Sequence, residues 1–204
     1  MKYLFVGAHP DDIEYSCGGT ILRLVNEGHK VSLLVMTGGG NSLNGTKQER
    51  MDEQERAFAF SGADQMFLLD YEDGEIAATA DSIREISRIL DRVKPDFVIT
   101  HYPEDSHQDH RAVAAIVKSA TRRRCSLLYF DSYSSLNFKA NLFVDITPHA
   151  VGKKKLLRRH YSQIAKYEER GIDFIKKSLL INKLNGYEGN AAFAEAFAID
   201  TYMI

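Results

Sequence analysis

At 204 residues, with 44% hydrophobic and 26% charged content, the chain has the length and make-up of one soluble α/β domain with a sizeable core, or at a stretch two small ones. A formal net charge of −2 gives no electrostatic reason to expect a nucleic acid or an anionic membrane as partner. No run approaches a membrane span, the N-terminal apolar stretch is too short for a signal peptide, and Cys17 and Cys125 make no CxxC pair, so a reducing cytoplasm is expected.

Residues 3–6 (YLFV) form a short apolar run that reads as a buried strand. It ends in Gly7-Ala8-His9-Pro10-Asp11-Asp12-Ile13-Glu14, after which Ile21, Leu22, Leu24 and Val25 fall at helical spacing. In an open α/β sheet, ligands bind at the carboxyl ends of the strands. There His9 can give an imidazole nitrogen and Asp12 a carboxylate oxygen to a metal ion. Two successive aspartates point in different directions, so Asp12 is the ligand and Asp11 the general base facing the bound water. This stretch alone leaves a second use open, in which both aspartates cap the helix.

Residues 30–37 (KVSLLVMT) read as the second strand, and the glycine loop 38–42 at its carboxyl end is expected to be mobile and to face substrate. A helix follows over 46–61, capped by Thr46 and closed by Gly62. Arg50 in its first turn reads, by itself, as a solvated arginine pairing with Glu49 or Glu53. Strand 66–69, an acidic loop 70–74, helix 81–93 and strand 96–100 come next. Residues 101–110 (HYPEDSHQDH) then hold three histidines and three acids at a strand's carboxyl end. His107 and His110, three apart where the next helix begins, can face one pocket. His110 is the natural third ligand. His107 becomes a second catalytic group, able when protonated to stabilise an oxyanion or protonate a leaving amine. Asp109 would orient one of the imidazoles from behind.

Strands over 127–130 and 141–146 lead into one long helical region from 147 or 148 to about 167. Its basic run, 153–159, reads as a solvated face. A last helix over 171–185 and an edge strand over 194–199 complete the chain.

With these motifs assembled, the sequence resembles the LmbE-like, or PIG-L, family of zinc-dependent N-acetylglucosaminyl deacetylases. Ala8-His9-Pro10-Asp11-Asp12 with Glu14 and Gly18-Gly19-Thr20 looks like its first signature, and His107-Gln108-Asp109-His110 like its second. Arg50, Glu53 and Gly62, then Val144 to Thr147 with Lys155, His160, Ser162 and Gln163, and finally Glu195-Ala196-Phe197 are similar to its further motifs. The resemblance implies zinc held by His9, Asp12 and His110, Asp11 as base, His107 at the substrate carbonyl or the departing amine, and Arg50 on a sugar hydroxyl. It also suggests a homo-oligomer. There are two departures. Asp105 stands where some members carry a tyrosine that helps stabilise the oxyanion, and Gly38-Gly39-Gly40 replaces an acidic residue after the second strand.

The expectation is therefore one Rossmann-like domain over 1–204, a mostly parallel sheet with helices on both faces. Its function would be zinc-dependent hydrolysis of an N-acetyl group from a small N-acetylglucosamine-type sugar or conjugate, with Fe2+ as the other ion a cell could supply. The alternatives are a metal-dependent amidase or phosphoesterase, or a nucleotide-binding module, the last disfavoured by the lack of a glycine fingerprint.

Overall fold

The computed structural model describes residues 1–41 and 44–203. Five aliphatic runs form parallel strands: β1 (Lys2–Gly7), β2 (Lys30–Thr37), β3 (Gln65–Tyr71), β4 (Phe97–His101) and β5 (Ser126–Phe130). Two more, β6 (Leu142–Asp145) and β7 (Ala194–Thr201), complete a seven-stranded sheet ordered β3-β2-β1-β4-β5-β7-β6 among the described residues. The sheet is mostly parallel and carries helices on both faces, as expected.

Alternation along the strands divides the core. Leu4 and Val6 of β1 face helices α3 (Ala80–Val93) and α4 (Gln108–Thr121), which contribute Ile86, Leu90, Val113 and Val117. Phe5 faces the other way, toward Ile13, Cys17 and Ile21 of α1 (Asp12–Asn26). Helix α2 (Lys47–Ser61) starts with a capping box, in which Thr46 Oγ1 accepts from Glu49 N–H and the Glu49 carboxylate accepts from Thr46 N–H. It stops at Gly62 in the left-handed region, φ 73°. The strand order reverses direction between β1 and β4, so their carboxyl ends open a crevice carrying the 9–12 turn and His101.

The carboxyl-terminal part differs from expectation in three ways. The strand expected at the edge, β7, lies between β5 and β6 and is antiparallel to both. Ala194, Glu195, Ala196, Phe197 and Ala198 are all buried, a pattern an edge position could not provide. The expected single helix from 147 to 167 is a 3-10 turn, Thr147–His149, followed by α5 (Ala150–Leu157) and α6 (Tyr161–Glu168). The break between α5 and α6 carries His160 inward. Helix α7 (Phe174–Glu188) follows.

The basic run is likewise not all solvated. Lys153 is fully buried, and its Nζ lies 2.6 Å from Glu195 Oε1. Glu195 also accepts from the backbone N–H groups of Gly19 at 2.9 Å and Thr20 at 2.7 Å, tying β7 and α5 to α1. No helix among the described residues is long and apolar enough to cross a membrane.

A buried carboxylate stripped of its ammonium partner is costly. Lys153→Met should lower unfolding free energy by about 3–5 kcal/mol in urea denaturation. A loss below about 1 kcal/mol, the scale of an exposed pair, would contradict this account of the pair.

Candidate metal and catalytic centre

The crevice contains a polar cleft of about 220 Å³ lined by His9, Asp11, Asp12, Arg50, Asp73 and His107, with Tyr133, Lys166 and Tyr167 farther round its wall. His9 follows β1, Asp73 follows β3, His107 and His110 open α4, and Tyr133 follows β5. All come from carboxyl ends of parallel strands. Neither aspartate of the first motif spends its carboxylate on helix capping: Asp11, the N-cap residue of α1, makes no side-chain cap bond, and Asp12 Oδ2 accepts from His9 N–H at 2.8 Å.

Carboxylates back two of the imidazoles. His9 Nε2 lies 3.0 Å from Asp109 Oδ2 and 3.1 Å from Asp73 Oδ1, so Nε2 carries hydrogen and Nδ1 is the nitrogen a neutral ring would leave to a metal. That Nδ1 is 3.3 Å from Asp12 Oδ2. His110 repeats the pattern: Nδ1 lies 3.1 Å from Asp105 Oδ2, while Nε2 is buried, makes no hydrogen bond and lies 3.4 Å from Asp12 Oδ1. A tetrahedral ion with bonds of about 2.0–2.1 Å holds its ligand atoms about 3.3–3.4 Å apart. The His9–Asp12 and His110–Asp12 spacings each match one edge of such a coordination shell, and each imidazole is backed by a carboxylate.

Three trios of side chains each bring one ligating atom within 4.8 Å of the others: His9, His107 and His110; Asp12, His101 and His110; His9, Asp73 and Asp109. The expected set of His9, Asp12 and His110 is not one of these trios; Asp12 links its two histidines through separate oxygens. The surrounding field favours positive charge. Burial pulls His9 down, but Asp109, Asp12 and Asp73 outweigh it and hold its pKa well above the ordinary value. Burial also works against His110, yet Asp12 and Asp105 lift it to about 9. Asp12 is held well below its usual range because His110 and His101 overcome the effect of burial.

Asp11 is set apart. Burial pushes its pKa up to about 6, against the opposing pull of Arg50. Its backbone is left-handed, φ 93°, a conformation costing roughly 1–3 kcal/mol in a non-glycine residue. Arg50 is buried rather than solvated, which corrects the reading of that residue by itself. Its Nη1 donates to Gly39 O and its Nη2 to Pro10 O, both at 2.9 Å, and Nη2 lies 3.4 Å from Asp11 Oδ1. The glycine loop makes room for it: Gly39 has φ +70°, and a Cβ there would come within 1.9 Å of Arg50 Nη1. Gly38 and Gly39 are thus buried against α2, and Asn41 lines the cleft while bonding Asp73. Ser42 lies outside the described residues.

His107 is the N-cap of α4, and its Nδ1 accepts from Asp109 N–H at 3.3 Å. Burial and the neighbouring His9 and His110 lower its pKa. The protonated form is thereby disfavoured, and in the neutral ring, with Nδ1 accepting, the hydrogen sits on Nε2. Asp109 stands behind His9, and it also accepts from Gly74 and Ile76 N–H. Sequence reasoning missed Asp73, His101, Asp105 and Tyr133. Asp73 belongs to the acidic loop 70–74, whose position after a parallel strand was the available signal. Asp105 passed as a departure, yet besides His110 it receives His107 N–H at 2.8 Å and Ser132 Oγ–H at 2.6 Å.

The model of the PIG-L family, described as GlcNAc-PI de-N-acetylase, matches residues 4–121. The chain belongs to the PIG-L family. It is 31% identical to the uncharacterized deacetylase YaiS of Escherichia coli (strain K12), over 78% of this chain and 90% of YaiS. It is 28% identical to the diacetylchitobiose deacetylase of Thermococcus kodakarensis, over 79% of this chain and 70% of that protein. The solved structure of the conserved protein TT1542 from Thermus thermophilus superposes with a TM-score of 0.89 at 24% identity, covering 99% of this chain and 95% of that one. That likeness shows the fold. The matched segment of the PIG-L domain contains all seven residues expected to build the site.

If Asp105 orients the His110 imidazole, Asp105→Asn should weaken zinc affinity about 10–100-fold in competition with a chromophoric chelator. Unchanged affinity would contradict that role.

Proposed function

We propose that this PIG-L chain is a zinc-dependent hydrolase that removes an N-acetyl group from an N-acetylglucosamine-type amino sugar or sugar conjugate. The observation that carries the reading is Asp11, a buried carboxylate held at about 6, next in sequence to the Asp12 carboxylate that joins His9 to His110. Family membership and the diacetylchitobiose deacetylase relative support the amide of an acetylated amino sugar as the bond broken.

His9, Asp12 and His110 would hold the zinc, whose Lewis acidity makes water a nucleophile near neutral pH and polarises the acetyl carbonyl. Asp11 accepts the proton of the attacking water; a base tuned toward neutrality suits that task better than an ordinary aspartate. Arg50 keeps the Asp11 carboxylate turned into the cleft. His107 donates its Nε2 hydrogen to the carbonyl oxygen as negative charge develops there, and being neutral it does so without giving up a proton. Asp11 then returns its proton to the nitrogen, so amide and water become free amine and acetate. Arg50 has committed donors to Gly39, Pro10 and Asp11, which supports an aligning role ahead of direct hold on a sugar hydroxyl. Two buried free thiols, Cys17 and Cys125, fit a reducing cytoplasm.

The test is acetate release from a panel of N-acetylglucosamine derivatives, with zinc measured on the same samples. Asp11→Ala should keep about one zinc per chain and lose about 10²–10⁴-fold in kcat. His110→Ala should lose both zinc and turnover. An Asp11→Ala enzyme of undiminished rate would remove Asp11 from the role of base.

A further inference from the structure

Helix α2 buries a polar stripe where a helix ordinarily buries an apolar one. Arg50, Glu53, Gln54 and Ala57 follow at i, i+3, i+4 and i+7, and all four are buried. Glu53 receives Ser162 N–H and Oγ–H, both at 2.8 Å, and so pins the start of α6. Gln54 is fully buried and takes part in no step of the reaction above.

Its amide nevertheless has a defined orientation. Gln54 Nε2 donates to Glu14 Oε1 at 2.7 Å, so the amide oxygen faces the other way. There it accepts from the backbone N–H of Asp11 at 3.3 Å. Beyond it lies His160, whose Nε2 comes within 3.5 Å of Glu14 Oε2 without a hydrogen bond, and both side chains are buried. From the opposite side Arg50 binds the carbonyl oxygen of Pro10 and the carboxylate of Asp11. A chain of buried polar groups from α1, α2 and the α5–α6 break thus ends on the one residue with a strained backbone in the catalytic turn.

The physical default at that position is different. An aspartate just before the first helical residue ordinarily takes extended φ and ψ and spends its carboxylate accepting from the N2 or N3 backbone N–H. Asp11 has φ 93° and makes no such bond. We propose that Gln54, fixed by Glu14, holds Asp11 in the left-handed conformation and so prevents it from becoming a helix cap, leaving its carboxylate free for the cleft. Gln54 is then a positioning residue, and its catalytic effect rests on the reading of Asp11 as base.

The decisive experiment joins crystal structures with steady-state kinetics and zinc analysis for two designs. Gln54→Met keeps the side-chain volume and removes both hydrogen bonds. Asp11 should relax to negative φ and cap α1 through Glu14 N–H. With zinc content unchanged, kcat should fall about a hundredfold, while KM stays within about twofold because Gln54 is not in the cleft. The second design is a swap. Gln54→Glu alone sets two carboxylates against each other, whereas adding Glu14→Gln lets residue 14 donate to residue 54, whose other oxygen still accepts from Asp11 N–H. The pair should restore positive φ at Asp11 and bring kcat to within about tenfold of the unsubstituted enzyme. Gln54→Met with Asp11 still at positive φ would overturn the clamp, as would a relaxed Asp11 with undiminished kcat. If the unsubstituted protein releases no acetate, the deacetylase reading falls, and the Asp11 backbone alone decides the clamp.

Discussion

Charge of one sign, gathered where water is scarce, is the constraint on which this site depends. Asp12, Asp73 and Asp109 converge on His9, and Asp12 and Asp105 converge on His110. Buried carboxylates in such numbers are tolerable only when positive charge answers them. The answer available from the chain is protonated imidazole, which is why His9 and His110 hold protons so firmly. A divalent cation would answer the same field more completely, displacing the protons from His9 Nδ1 and His110 Nε2, which face the oxygens of one carboxylate.

The fold supplies this charge with little extra machinery. Asp12 and Asp109 each sit in the first turn of a helix, α1 and α4, where the helix dipole favours negative charge. Both helices begin at the crevice where the strand order reverses, so the acids arrive with their backbone anchored. His101, at the end of β4, stacks on His110 with ring centroids 3.9 Å apart. Burial and His110 push His101 down to about 4, so it packs beside the centre as a neutral ring and adds no charge. The same burial that sharpens the field also makes Asp11 a weaker acid than an exposed aspartate, which is what a proton acceptor near neutral pH requires.

Much of this was legible in the residue order. Alternation and turn residues located the strands closely: β2 falls on 30–37, as read. The two histidine-bearing motifs, each after a strand, named the residues that the fold brings together. What escaped depends on contacts remote in sequence. Lys153 lies in a run of basic residues that any local reading leaves in water; only the burial of Glu195, 42 positions on, draws it inward. β7 reads as an edge because it comes last, yet small side chains at 194, 196 and 198 let it enter between β5 and β6. Asp73 and Asp105 carry no motif, and their value lies in which imidazole nitrogen they face. Arg50 looked solvated because the helix around it is rich in charge, whereas its partners are backbone carbonyls at Pro10 and Gly39.

We propose that His9 Nδ1, Asp12 and His110 Nε2 would together hold one zinc ion. A crystal structure of the zinc-loaded protein, with anomalous data at the zinc edge, tests it most directly. The account predicts a single ion bonded to those three side chains, with Asp109 still behind His9 and Asp105 behind His110. An ion seated instead among His9, Asp73 and Asp109, on the far side of the imidazole, would contradict it.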